Sequence, residues 1–177
     1  MQILARPWLS IRWLSIRWLA FAMLGSWVLA ASAQVALPMW PVPATLQSLA
    51  VLLLGAIGGP VLGVAAVAAY LAQGSMGLPF FANGSSGLAV LTGPTAGYLL
   101  GFVAAAWIAG AAQGTVWRQG LVLLVAHLAL FVPGVTWLAG FIGWERALHA
   151  GFVLFLPGTL IKTALALAVL RAVRIRT

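Results

Sequence analysis

Long apolar runs, interrupted by short clusters of glycine, proline and polar residues, set out the plan of this chain. The runs extend from about Trp18 to Leu37, Thr45 to Ile57, Val61 to Ser75, Pro94 to Ala112, Gly120 to Leu138 and Gly151 to Arg171. At roughly 20 residues per crossing they predict an all-α integral membrane bundle of six transmembrane helices. Two interruptions are too stiff to remain helical: Pro38-Met39-Trp40-Pro41-Val42-Pro43, and the turn Gly58-Gly59-Pro60. A third differs in kind. From Leu78 to Tyr98 the chain concentrates Gly, Ser, Asn, Thr and Pro together with two phenylalanines, several leucines and a valine. Such a stretch is too broken to span and too apolar to stay disordered, so it predicts a long ordered loop between the third and fourth helices.

Composition strengthens the membrane reading. Of 177 residues, 64% are hydrophobic and 6% charged, against about a quarter charged in soluble domains. The net charge of +8 does not indicate nucleic acid, because the arginines sit at the ends of the apolar runs. With six spans and a cytoplasmic N-terminus, Arg6, Arg12, Arg17, Arg118, Arg171, Arg174 and Arg176 fall inside and Arg146 outside. Both termini are then expected in the cytoplasm, against the inner face of a bacterial cell membrane and its anionic lipids. The same topology brings residues 38–45, 78–93 and 144–149 to one outer face.

Residues 1–17 form a separate basic and aromatic segment ahead of a domain over 18–177. It contains a tandem repeat, Trp8-Leu9-Ser10-Ile11-Arg12 and Trp13-Leu14-Ser15-Ile16-Arg17. A five-residue step turns about 140° on a helix, so the repeat lines no single face and reads as an interfacial anchor. A cleaved signal fits less well, although Ala31-Ser32-Ala33 imitates a cleavage site.

The inventory leaves little room for enzymatic chemistry. Glu145 is the single acidic residue, expected to pair with Arg146, and cannot make a carboxylate dyad. There is no cysteine, and His127 and His149 are too few and too widely spaced for a metal motif. No phosphate-cradling loop is present. The expectation is a protein that is not an enzyme, with no cofactor and no metal. A histidine in such a helix is expected to pack or hydrogen-bond.

Lys162 stands out within the last run, nine residues before Arg171, or about 13 Å of helix rise. An ionisable group at that depth usually faces a cavity or a partner, and with no carboxylate nearby its counter-charge is expected to come with a ligand. The alternative is a lysine that snorkels along a tilted helix. Asn83 can donate and accept hydrogen bonds, which suits an amide- or urea-like group. These residues describe a pocket for a small, partly apolar carboxylate. Ala22, Ser26 and Ala30 recur at every fourth position of the first helix, a small-residue stripe at which another helix can dock.

Several strings resemble the BioY family, the biotin-binding S components of energy-coupling factor transporters. Pro41-Val42-Pro43-Ala44-Thr45-Leu46-Gln47 is similar to the family's Pro-Val-Pro-x-Thr-Leu-Gln motif. Leu78-Pro79-Phe80-Phe81-Ala82, Ser86-Gly87-Leu88 and Gly93-Pro94-Thr95-Ala96-Gly97-Tyr98 resemble its outer loop and following helix. Leu156-Pro157-Gly158-Thr159-Leu160-Ile161-Lys162 resembles its Pro-Gly-Asp-x-x-Lys motif, with Thr159 in the place of Asp. The resemblance covers about residues 18–171 and excludes the pentapeptide repeat.

The resemblance implies a six-helix bundle that binds biotin from outside, with the loop as a lid. Asn83 and Lys162 would make the polar contacts, and Thr159, Phe81, Tyr98, Gln47 and Trp40 complete the candidate ligand residues. Thr159 removes a carboxylate acceptor and a partner for Lys162, so binding is expected to be retained but weaker. Partner ATPase subunits and a transmembrane coupling subunit are implied, with Ala22, Ser26 and Ala30 as the docking face. A bulky residue at Ser26 is then expected to abolish driven uptake and spare binding. The competing reading is a solitary homo-oligomeric facilitator that works without ATPase partners.

Overall fold

The computed structural model describes the backbone of residues 7–175 and the side chains of residues 16–174. Arg6, Arg176 and the side chains of the pentapeptide repeat up to Ser15 lie outside them. The described chain is almost wholly helical. Helix α1 (Pro7–Gln34) is followed by two short strands, β1 (Ala36–Leu37) and β2 (Ala44–Thr45), then α2 (Gln47–Ser75), α3 (Leu88–Thr92), α4 (Ala96–Ala109), α5 (Val116–Ala129), α6 (Phe131–Ile142), α7 (Trp144–Gly151) and α8 (Leu156–Ile175). Single 3-10 turns occupy Ala82–Gly84 and Val153–Phe155.

Four helical stretches are long and apolar enough to cross a membrane: Ile16–Gln34, Gln47–Ser75, Val116–Ile142 and Trp144–Arg174. The second of these is not one rod. Gly59 adopts φ +80°, a conformation that side-chain-bearing residues rarely take, and Pro60 follows it. There the chain folds back on itself. A methyl group added at Gly63 would lie 2.7 Å from the Gly55 Cα, and Gln47 hydrogen-bonds Tyr70 across 23 residues of sequence. The two halves of α2 are therefore antiparallel neighbours. Glycines 55 and 63 permit backbone-to-backbone approach, the usual means of packing helices in lipid, where burial of apolar side chains supplies little drive.

Several boundaries differ from the sequence expectation. The first helix ends at Gln34 rather than Leu37, because Ala36 and Leu37 pair with Thr45 and Ala44 in an antiparallel ribbon that closes the proline-rich connection. The fourth run yields only the 14 residues of α4. The fifth is longer, from Val116 to Ile142, and is interrupted at Leu130, where Pro133 has no N–H to offer the preceding turn. The region around Glu145, expected as a plain connection, forms α7. Glu145 and Arg146 are both exposed and form no ion pair, since adjacent helical residues point in different directions.

The small-residue stripe is used inside the chain. Ala22, Ser26 and Ala30 are all buried, Ser26 completely, and α1 lies along α2. Ser26 Oγ accepts a hydrogen bond from Gln73 Nε2 at 2.8 Å, and Gly25 beside it faces Ala66 and Leu54. The stripe expected as a docking face is thus covered by α2, and a bulky side chain at Ser26 has to displace that helix before it can affect any partner.

Large apolar side chains such as Leu24, Trp27, Leu100, Trp107, Val132 and Ile161 point outward, the arrangement of a protein solvated by hydrocarbon. At one end of the bundle the Gly59 turn packs on α4, with Pro60 against Gly110. The Arg174 guanidinium donates there to the carbonyls of Ala112 (2.9 Å) and Ala56 (3.3 Å). The opposite end carries the β ribbon, residues 78–93 and α7.

Candidate ligand-binding site

Beneath residues 78–93 lies a cavity of about 230 Å³, walled by α2, α4, α5 and α8. How its cover is held follows from a residue that the sequence did not single out. Gln34, the last residue of α1, accepts from the Gly84 N–H through Oε1 (3.0 Å). Its Nε2 donates to the carbonyls of Phe81 (3.2 Å) and Pro79 (3.4 Å). Phe81 anchors the same segment from within. It is 1% exposed, meets Tyr70 edge-on at 5.4 Å and lies on Gly74, where any Cβ would collide with the ring. The Gly87 N–H donates to the Gly74 carbonyl at 2.8 Å, and Phe81 N–H to the Ser85 carbonyl at 3.0 Å. Between these ties Asn83 takes φ +58°, a left-handed conformation that asparagine tolerates better than most residues. Its side chain is exposed, has no protein partner, and contributes to the cavity lining.

The opposite wall is supplied by α8. Lys162, half-buried, donates from Nζ to the Thr45 carbonyl (2.9 Å) and to Ser48 Oγ (3.1 Å). Both partners are neutral. An ammonium has three N–H donors, so one remains for a ligand. Lys162 is the seventh residue of α8, closer to the loop end than the sequence suggested, because the helix begins at Leu156. Thr159, one turn before it, is 2% exposed and donates its hydroxyl to the Phe155 carbonyl at 2.9 Å, leaving the oxygen lone pairs free to accept.

Of the residues singled out from sequence, Asn83, Thr159, Lys162, Phe81, Tyr98 and Gln47 all border this one cavity. Trp40 does not; it is 84% exposed on the proline-rich connection. Tyr98 supplies its ring, while its hydroxyl is committed to the Gly151 carbonyl at 2.8 Å. Gln47 has both ends engaged, its Oε1 by Thr45 and its Nε2 by the Tyr70 hydroxyl. It therefore shapes the wall and positions Thr45 more than it offers hydrogen bonds. The sequence reading missed Ser48, which steadies the lysine, and the aromatic cluster of Phe131 with Phe152 and Phe155 at 5.1 and 6.2 Å. It also gave His127 no place here, although the residue lines the cavity. Steps of three and then four residues from Lys162 back to Thr159 and Phe155, which place all three on one helix face, were the available signal for the last of these aromatics.

Among the described residues there is no group of three or more potential metal ligands. An aromatic-lined pocket with one spare ammonium donor, inside a bundle that presents its apolar side chains outward, is the arrangement of a membrane protein suited to hold a small molecule. The chain belongs to the BioY family, whose model matches residues 6–177. Among its relatives, the biotin transporter BioY of Thermotoga maritima is 38% identical over 153 residues, 84% of this chain and 89% of that protein. A probable biotin transporter BioY of Pyrococcus horikoshii is 36% identical over 79% of this chain and 85% of its own length. The fold is that of a crystal structure described as the S-component for biotin from an ECF-type ABC transporter, with a TM-score of 0.82 over 90% of this chain and 92% of that one at 23% identity. These relatives are transporters, in agreement with the non-enzymatic reading of the inventory.

Proposed function

We propose that this protein is a membrane biotin-binding subunit that captures biotin at the outer face and passes it inward. The observation that carries the reading is the Lys162 ammonium, held by two neutral oxygens with one donor to spare and set in an aromatic cavity beneath a tethered loop. A carboxylate would supply its missing counter-charge, and a charge-assisted hydrogen bond in so apolar a setting is strong. The thiophane ring and the aliphatic chain of biotin suit Phe81, Phe131 and Phe155, and its ureido group suits the Asn83 amide. In this reading Lys162, Asn83, Thr159, Phe81 and Tyr98 contact the ligand, and Gln47 orders the wall behind it.

The chain has no nucleotide-binding loop, so inward delivery is driven by ATPase subunits and a membrane coupling subunit, as in the assembly named for the solved S-component. Both halves of α2, α4, the α5–α6 pair, α1 and α8 make six crossings of a bacterial cell membrane, and both termini lie in the cytoplasm. The arginines at the Arg174 end support that orientation. Equilibrium binding of radiolabelled biotin to the purified protein tests the central claim. Saturable one-to-one binding, displaced by unlabelled biotin, is expected; absence of saturable binding overturns the assignment.

A further inference from the structure

The helical wall of the cavity holds a histidine whose hydrogen bonds fix what a ligand must bring to it. His127 is 1% exposed, its ring stacks on Phe131 at 6.4 Å, and it borders the cavity. Its Nδ1 lies 2.8 Å from Thr163 Oγ1, and that hydroxyl lies 2.7 Å from the Thr159 carbonyl one turn back along α8. A threonine hydroxyl has one proton to give. Were it given to Nδ1, the hydroxyl and carbonyl oxygens would face each other at 2.7 Å with no hydrogen between them. Donation to the carbonyl, with Nδ1–H donating to Oγ1, places a hydrogen in both short contacts. The neutral ring thus carries its proton on Nδ1 and keeps a lone pair on Nε2. No described residue donates to Nε2, and the nitrogen is not among the sealed, unpartnered buried atoms.

We propose that His127 Nε2 is a hydrogen-bond acceptor for the bound molecule, with Thr163 as the positioning residue that sets the tautomer. The site then selects a small carboxylate that also carries an N–H or O–H donor, with the anionic group at Lys162 and the donor at His127. Identifying that donor as a ureido N–H rests on the biotin reading; the acceptor role does not. It also gives the cavity wall an acceptor other than Thr159, which has only a hydroxyl to offer.

Two measurements test this. In protein labelled with 15N-histidine, the His127 spectrum is expected to show a protonated Nδ1 and an unprotonated Nε2, and Thr163→Val is expected to erode that preference. A protonated Nε2 in the wild type overturns the proposal. The second measurement compares affinities for biotin and for its mono-N-methylated ureido analogues. The wild type should prefer biotin over at least one analogue by about tenfold, the size of one buried hydrogen bond. His127→Phe keeps the ring and removes the acceptor, so that preference should shrink to within about threefold, whereas a purely steric effect of the methyl group would persist. An undiminished preference in folded His127→Phe overturns the proposal. If that variant does not fold, Thr163→Val serves, with a partial narrowing expected and an unchanged preference counting against. If the wild type binds neither compound, the biotin reading fails and the nitrogen spectrum alone decides the acceptor.

Discussion

Lys162 could be found by inspection because a lysine inside an apolar run is costly unless something compensates it. What the sequence could not give is the identity of its partners. Thr45 and Ser48 lie 117 and 114 residues away, and a main-chain carbonyl leaves no mark in a sequence. The same limit hid His127, whose meaning depends on Thr163, 36 residues further on. Thr159 shows the opposite case: its departure from the family motif was plain, and the structure adds that its proton is already spent on Phe155. With one donor of Lys162 free, Lys162→Met should weaken biotin binding by ten- to a hundredfold, since a hydrogen bond to a charged group contributes about 1.5–3 kcal/mol. Isothermal titration on the folded variant reads this directly. An affinity within about twofold of wild type would assign the ammonium to fold maintenance through Thr45 and Ser48 instead.

Among the elements, the helices were legible from hydropathy, but their ends were not, as the end of the first helix illustrates. The first helix stops at Gln34 because its side chain turns to the 78–93 segment, and the apolar residues beyond it enter a ribbon. The small-residue stripe of α1 was expected as a docking face for a partner; sequence spacing cannot say which helix fills such a stripe, and within the chain α2 lies on it. The fold-back of α2 was visible in Gly58-Gly59-Pro60, because that tripeptide is incompatible with a continuous rod. Gln34 makes three hydrogen bonds to the segment over the cavity, at roughly 0.5–1.5 kcal/mol each. Gln34→Ala should therefore leave the helical content unchanged and speed ligand release by about tenfold or more, with a smaller effect on association. Stopped-flow chase of bound labelled biotin measures it. Unchanged release would mean that Phe81, held between Tyr70 and Gly74, secures the segment without help.

At the scale of the whole molecule, the placement of polarity ties fold to function. One end gathers the ribbon, the Asn83 segment and α7 around the mouth of the cavity. The other brings together the Gly59 turn, the α4–α5 connection and Arg174, which caps carbonyls from two other parts of the chain. Such capping suits a basic residue at helix C-terminal ends, where carbonyls lack intrahelical partners. In the proposed topology, six crossings with cytoplasmic termini would put the mouth outside, where a scarce nutrient would be captured, and the arginine-bearing end inside, where a driving partner would bind. The absence of cysteine from the sequence makes this orientation accessible to single-cysteine labelling. Ser86→Cys and His149→Cys should react with a membrane-impermeant maleimide in intact cells. Gln113→Cys, between α4 and α5, should react only after permeabilisation. A bundle in which α2 failed to cross twice would put an odd number of crossings between Met39 and Ser86, so Met39→Cys completes the set and should label from outside with Ser86→Cys. Reaction of the two from opposite sides would refute the hairpin reading of α2, and reaction of Gln113→Cys from outside would invert the topology and place the cavity mouth in the cytoplasm.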